Sequence, residues 1–158
     1  VTSTHDDTTR FWTLIDSAWA ATGTTPAAVL RAGYDGFDAH LDAFLAQLAT
    51  HAEGFTGEEL MALDRVAERA LYDIDRADIQ EITDGSDDGF LYARGFIVAL
   101  GREYYEAVRA DPSAAITDAE CEEMCYFFAH LHHLRFGTFP DTGSGISRET
   151  ASNPAGWS

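Results

Sequence analysis

Apolar residues recur three and four positions apart along most of the chain, and no stretch alternates residue by residue, so the pattern predicts helices and no strands. In "TTRFWTLIDSAWAATG", Phe11, Trp12, Leu14, Ile15, Ala18 and Trp19 fill less than half of a helical wheel. Thr8 or Thr9 can cap this helix and Gly23 can end it. Thr25 and Pro26 then give an N-cap with proline at the first helical position. The segment they open places Phe37, Leu41, Phe44, Leu45 and Leu48 on one face, with Gly33 and Gly36 set to divide it.

Further along, "TGEE" (Thr56 to Glu59) is a capping box that starts a long helical pattern running to about Ile82. Ser86 or Asp87 can cap the following helix, which stops before Asp111 and Pro112. A second capping box, Thr117 to Glu120, predicts a last helix through "DAECEEMCYFFAHLHHLR". From Gly137 the periodicity ends in a run rich in Gly, Ser, Thr and Pro, with Phe139, Ile146 and Trp157 as possible apolar anchors for docking. The expected fold is all-α: a single-domain bundle of five or six helices over residues 1–136, with an irregular C-terminal extension, 137–158, laid over it.

The 158 residues are 46% hydrophobic and include 19 aromatics, which suits one well-filled core. A formal charge of −17 repels phosphate backbones and anionic lipid, so neither nucleic acid nor membrane is an expected partner. A basic protein partner or a small-molecule ligand fits that charge, and so does simple solubility. The first residues carry neither a basic nor an apolar leader pattern, and two cysteines make no disulfide framework, so a cytoplasmic protein is expected.

One charge changes the picture. At about 100° per residue, Arg94 points with Phe90, Ile97, Val98, Tyr104, Tyr105 and Val108, toward the core. Asp87 lies on the same side. A buried guanidinium stripped of its partner costs about 3–5 kcal/mol, so carboxylates are expected around it. Asp64, Asp75 and Asp78 project from the preceding helical pattern into the arc of Leu60, Ala67, Leu71 and Ile74. Arg94 with Asp87, Asp64, Asp75 and Asp78 is therefore either an ionic lock between helices or a polar pocket that holds a ligand's carboxylate or phosphate.

Cys121, Cys125 and His132 fall within about 40° of one another on the last predicted helix. Zinc or copper would need a fourth ligand from another helix, and small buried cysteines are also common core residues. No other cofactor is expected. Direct Cys125–His132 catalysis is excluded, because seven helical residues rise about 10 Å. His40 and His51 share a face with Phe44, as satisfied core side chains or as a cleft lining. "GSDDG" lacks the lysine of a phosphate cradle, and "TGSGIS" lacks the strand-turn-helix setting of a nucleophile elbow; both read as turns.

The stretches "RFWTLIDSAW", "LDRVAERALYDIDRADIQEITDGSDDGF" and "YARGFIVALGREYYEAVRADP" resemble the bacterial domain-of-unknown-function family 4240, over about residues 10–113. That family usually carries a tryptophan-rich stretch and Gly-Gly-Cys before the Ser-Asp-Asp run, where this chain reads "RADIQEITDG". The resemblance implies a helical bacterial domain and transfers no catalytic residue. Two functions remain. One is a non-enzymatic binding or accessory protein, a regulator or toxin-neutralising partner. The other is an enzyme of specialised metabolism whose pocket centres on Arg94.

Overall fold

The computed structural model describes residues 4–33, 35–83 and 87–157, the side chains of 4, 5 and 87 excepted. The first amphipathic stripe forms α1 (Thr4–Thr22) and buries Phe11, Trp12, Ile15, Ala18 and Trp19. Thr25 accepts the Ala28 N–H and caps α2 (Pro26–Ala32), and the two glycines separate it from α3 (Phe37–His51). Trp19 stacks on Phe44 at 4.7 Å, locking α1 against α3.

The capping box is made in both halves: the Thr56 hydroxyl accepts the Glu59 N–H, and Glu59 accepts the Thr56 N–H. It opens α4 (Gly57–Asp73), the central helix, which packs against α1. The remaining helices are α5 (Ala77–Thr83), α6 (Asp87–Ala99), α7 (Arg102–Ala110), α8 (Glu122–Cys125) and α9 (Phe127–Phe136). The other sides of α4 meet α6, α8 and α9. Among the described residues the fold is all-α, with nine helices rather than five or six.

The extra helices come from breaks that periodicity does not register. After α4 the chain turns at Asp75, whose N–H bonds the Tyr72 carbonyl, instead of running on to Ile82. Gly101 stands at φ 100°, where a side chain is strained, and a Cβ there would lie 3.1 Å from Asp16 Oδ1. No helix opens at the second capping box: the chain turns there, with Asp118 at φ 60° and the Thr117 hydroxyl donating to the Ile82 carbonyl at 2.9 Å, and α8 starts only at Glu122. Tyr126, at φ −134°, then divides α8 from α9. The cap expected at Ser86 or Asp87 lies outside the described residues. No described helix is long and apolar enough to cross a membrane.

Residues 138–157 form a strap with one 3-10 turn, Pro154–Gly156. It touches α4 through Thr142 and Ser144, whose hydroxyls donate to Glu68. It touches α8 through Arg148, which donates to the Cys125 carbonyl at 2.5 Å. Trp157 meets Phe90 of α6 edge-on at 6.2 Å.

Candidate functional site

Arg94 lies on the inward face of α6 and is 0% exposed. Its guanidinium donates to the Leu71 carbonyl at 3.0 Å, the Arg148 carbonyl at 2.9 Å and the Thr150 hydroxyl at 3.4 Å. It lies over the Phe90 ring at 4.7 Å, an attractive contact for a cation. Burial works against its charge, and the largest opposing effect is the field of Asp75. The expected ion pairs with Asp64, Asp75 or Asp78 are corrected here: the partners of Arg94 are main-chain carbonyls and a hydroxyl. The Asp87 side chain is outside the described residues.

Each of the three aspartates has another partner. Asp78 is exposed and forms a two-bond pair with Arg76, at 3.0 and 2.7 Å, which lowers its pKa. Asp75 is 0% exposed and accepts the N–H groups of Ala151, Ser152 and Asn153, together with the Trp157 indole N–H at 2.9 Å. Asp64 faces Arg148 of the strap at 2.7 Å, and Glu68, one turn on, lies 3.7 Å from the same guanidinium. The contact is one of charge, since Asp64 Oδ1 has no aligned hydrogen-bond donor among the described residues. Burial pushes the Asp64 carboxyl up more strongly than Arg148 pulls it down. This centre borders a cavity of about 540 Å³ lined by residues 139–146, Tyr126 and His130, with the Tyr126 ring 4.7 Å from the Arg148 guanidinium.

Among the described residues, no group of three His, Cys, Asp or Glu side chains is arranged to hold a metal, and Cys121, Cys125 and His132 form no such group. The break at Tyr126 destroys the single helical register that aligned them. Cys125 Sγ donates to the Leu91 carbonyl at 3.3 Å, and burial pushes both thiols up to about 12. His132 Nδ1 sits 2.5 Å from the Thr138 carbonyl, bracing the start of the strap. His51 is exposed on its own helix and His40 is half-buried.

A second cavity, of about 340 Å³, lies between α1, α4, α7 and the strap. Its wall carries Arg65, Arg69, Arg102 and Arg109, four of the ten basic residues of a chain whose net charge is −17. Three carboxylates, Asp7, Asp73 and Glu106, share the wall and leave it net positive. Trp12 and Tyr105, with ring centroids 5.0 Å apart, line it beside Val66 and Ile146. Tyr105 donates its hydroxyl to the Ala70 carbonyl at 2.7 Å, so its proton is already taken. Arg94 lines neither cavity. Sequence reasoning missed Arg148, Glu68 and all four of these arginines. Arg65 with Arg69, and Arg102 with Arg109, do repeat at four and seven residues, the spacing of a shared helical face.

A family model described as "Protein of unknown function (DUF4240)" matches residues 7–134. The match extends beyond residues 10–113 and takes in most of α9. No curated protein matches the chain. No solved structure does either.

Proposed function

The chain belongs to the DUF4240 family, and from that premise we propose that it is a binding protein rather than a catalyst, taking up a small anionic molecule in the α1–α4–α7 cavity. The observation that carries this reading is the convergence of Arg65, Arg69, Arg102 and Arg109 on one apolar-floored cavity of a strongly acidic chain. Such a field repels anions everywhere else, so a positive cleft of this kind selects and orients them. Arginine suits the task, because its planar fork stays charged and matches carboxylate and phosphate oxygens. A cytoplasmic setting, where small acids abound, is the compartment proposed for it.

The rival enzyme centred on Arg94 has little support. That guanidinium is fully buried and held to two carbonyls, and it lines neither of the two cavities described above. A protein partner has one observation in its favour: Leu134, Phe136 and Phe139, 80%, 52% and 59% exposed, are crowded into the end of α9 and the turn after it. Self-association measured by light scattering would read that surface.

A thermal-shift panel tests the anion reading, since a ligand that binds only the folded chain raises Tm. Phosphate, sulfate, acetate and benzoate are compared with ammonium and benzylammonium, on the native chain and on an Arg65→Ala/Arg102→Ala variant. At least one anion is expected to raise Tm saturably in the native chain alone. Equal shifts from the cations, or shifts that persist in the variant, reject the reading.

A further inference from the structure

Resting on the cavity as an anion site, we propose that its ligand is a small aromatic acid, with its acid group on Arg65 and Arg102 and its ring against Ile146 and the flat guanidinium faces of the wall. The four arginines are not equivalent. Arg69 Nε lies 3.1 Å from Asp73, and Arg109 lies 3.6 Å from Glu106 and 4.0 Å from Asp73, so these two already face carboxylates. No salt bridge or hydrogen bond of Arg102 occurs among the described residues, and Arg65 gives only its Nε–H, to the neutral Thr142 carbonyl at 2.9 Å. The charge still open to a ligand is therefore that of Arg65 and Arg102.

The floor decides the rest of the molecule. Trp12, Tyr105 and Val66 are 5%, 3% and 7% exposed, so little of them reaches the cavity, and the apolar surface open to a ligand is that of half-buried Ala62 and Ile146 with the stems of the arginines. A bare inorganic anion would leave that surface unused, whereas an aryl group would cover it and would also meet the flat guanidinium faces. About 340 Å³ is at the small end for a ligand pocket and fits one or two rings. Asp7, also on the wall, disfavours a second acid group placed away from Arg65 and Arg102.

Titration calorimetry on the full chain at low salt separates the possibilities, with phenyl phosphate, benzoate, inorganic phosphate and phenol as probes. One aryl acid per chain is expected to bind, about tenfold or more tighter than either phosphate or phenol. Arg102→Ala should weaken phenyl phosphate about tenfold, with the unfolding midpoint unchanged because that side chain is exposed. If inorganic phosphate binds as tightly as phenyl phosphate, the aromatic part is wrong and the anion site stands. If phenol matches phenyl phosphate, or Arg102→Ala changes nothing, the anion site fails too. No binding of either aryl acid at millimolar concentration overturns the inference, while the wider anion panel still decides the cavity.

Discussion

Arg148 Nη2 stands 2.7 Å from Asp64 Oδ1, with the two side chains only 5% and 4% exposed. The residues are 84 positions apart, so this pair joins the strap to the central helix. Removing either partner strands a buried charge, which costs about 3–5 kcal/mol. Arg148→Met also takes a donor from the Cys125 carbonyl, so its loss should be at the upper end of that range. Urea unfolding of Arg148→Met, Asp64→Leu and the double variant should give a combined loss well below the sum of the two single losses. Additive losses would mean that the pair is not coupled.

The same pair makes stability depend on pH. Burial raises the folded-state pKa of Asp64 above its ordinary 3.8, so the native chain holds that proton when the unfolded chain has released it. Across the interval from 3.8 up to the raised value, each increase in pH therefore lowers the stability that Asp64 contributes. Asp64→Asn has no such proton. Subtracting its pH–stability curve from that of the native chain should leave a difference that falls with rising pH in this interval; a rising difference would reverse the assignment.

What the sequence revealed was local. The Thr25 and Thr56–Glu59 caps and the stripes of α1 and α3 depend on near neighbours, and all form as their spacing implies. Arg94 was legible as a buried residue because its neighbours at helical spacing are apolar. Its partners were not, since carbonyls carry no sequence label and one of them belongs to the aperiodic strap. The Thr117 box misled because Asp118, at φ 60°, leaves the helical region directly after it, and the pattern of capping residues carries no sign of that turn. Helical spacing put Arg65 with Arg69, and Arg102 with Arg109, on shared faces, but only packing sets those faces opposite one another.

Both cysteines should resist chemistry in the native chain. Burial lifts each thiol from 9.0 to about 12, so almost no thiolate exists at pH 8. Labelling with a disulfide reagent such as DTNB at pH 8 should be slow, should involve both thiols together, and should accelerate with sub-denaturing urea, as expected when reaction requires opening. Fast stoichiometric labelling of either cysteine without denaturant would contradict this burial.

Asp75 and Arg94 grip neighbouring points of the strap. Asp75 takes three main-chain N–H groups and the Trp157 indole, while Arg94 holds the Arg148 carbonyl and the Thr150 hydroxyl. Asp75→Asn replaces one acceptor oxygen with an NH₂ that faces donors, so about 2–3 kcal/mol should be lost. Hydrogen exchange at residues 151–153 should rise, and Trp157 emission should move to the red. Because Arg94→Met loosens the same segment, the double variant should lose less than the two singles combined. Strict additivity would mean that the two residues hold independent structures.

The contact between α6 and the start of α8 should tolerate no added methyl. At Gly95 on α6, a Cβ would lie 2.4 Å from the Cys121 carbonyl oxygen and 2.7 Å from Cys125 Sγ. The first obstacle is backbone, and it is held in place because the Cys121 N–H donates to the Tyr92 carbonyl at 3.0 Å. Gly95→Ala must therefore push α8 away from α6, against a helix-propensity gain of about 1 kcal/mol for alanine over glycine. Overpacking of a tight core costs about 1–3 kcal/mol, and displacing α8 also disturbs the Arg148 bond to the Cys125 carbonyl, so the clash should win. A lowered Tm, with faster thiol labelling of Cys125, is the expected result. A Gly95→Ala chain as stable as the native one, with its thiols still protected, would show that α6 and α8 do not meet at this distance.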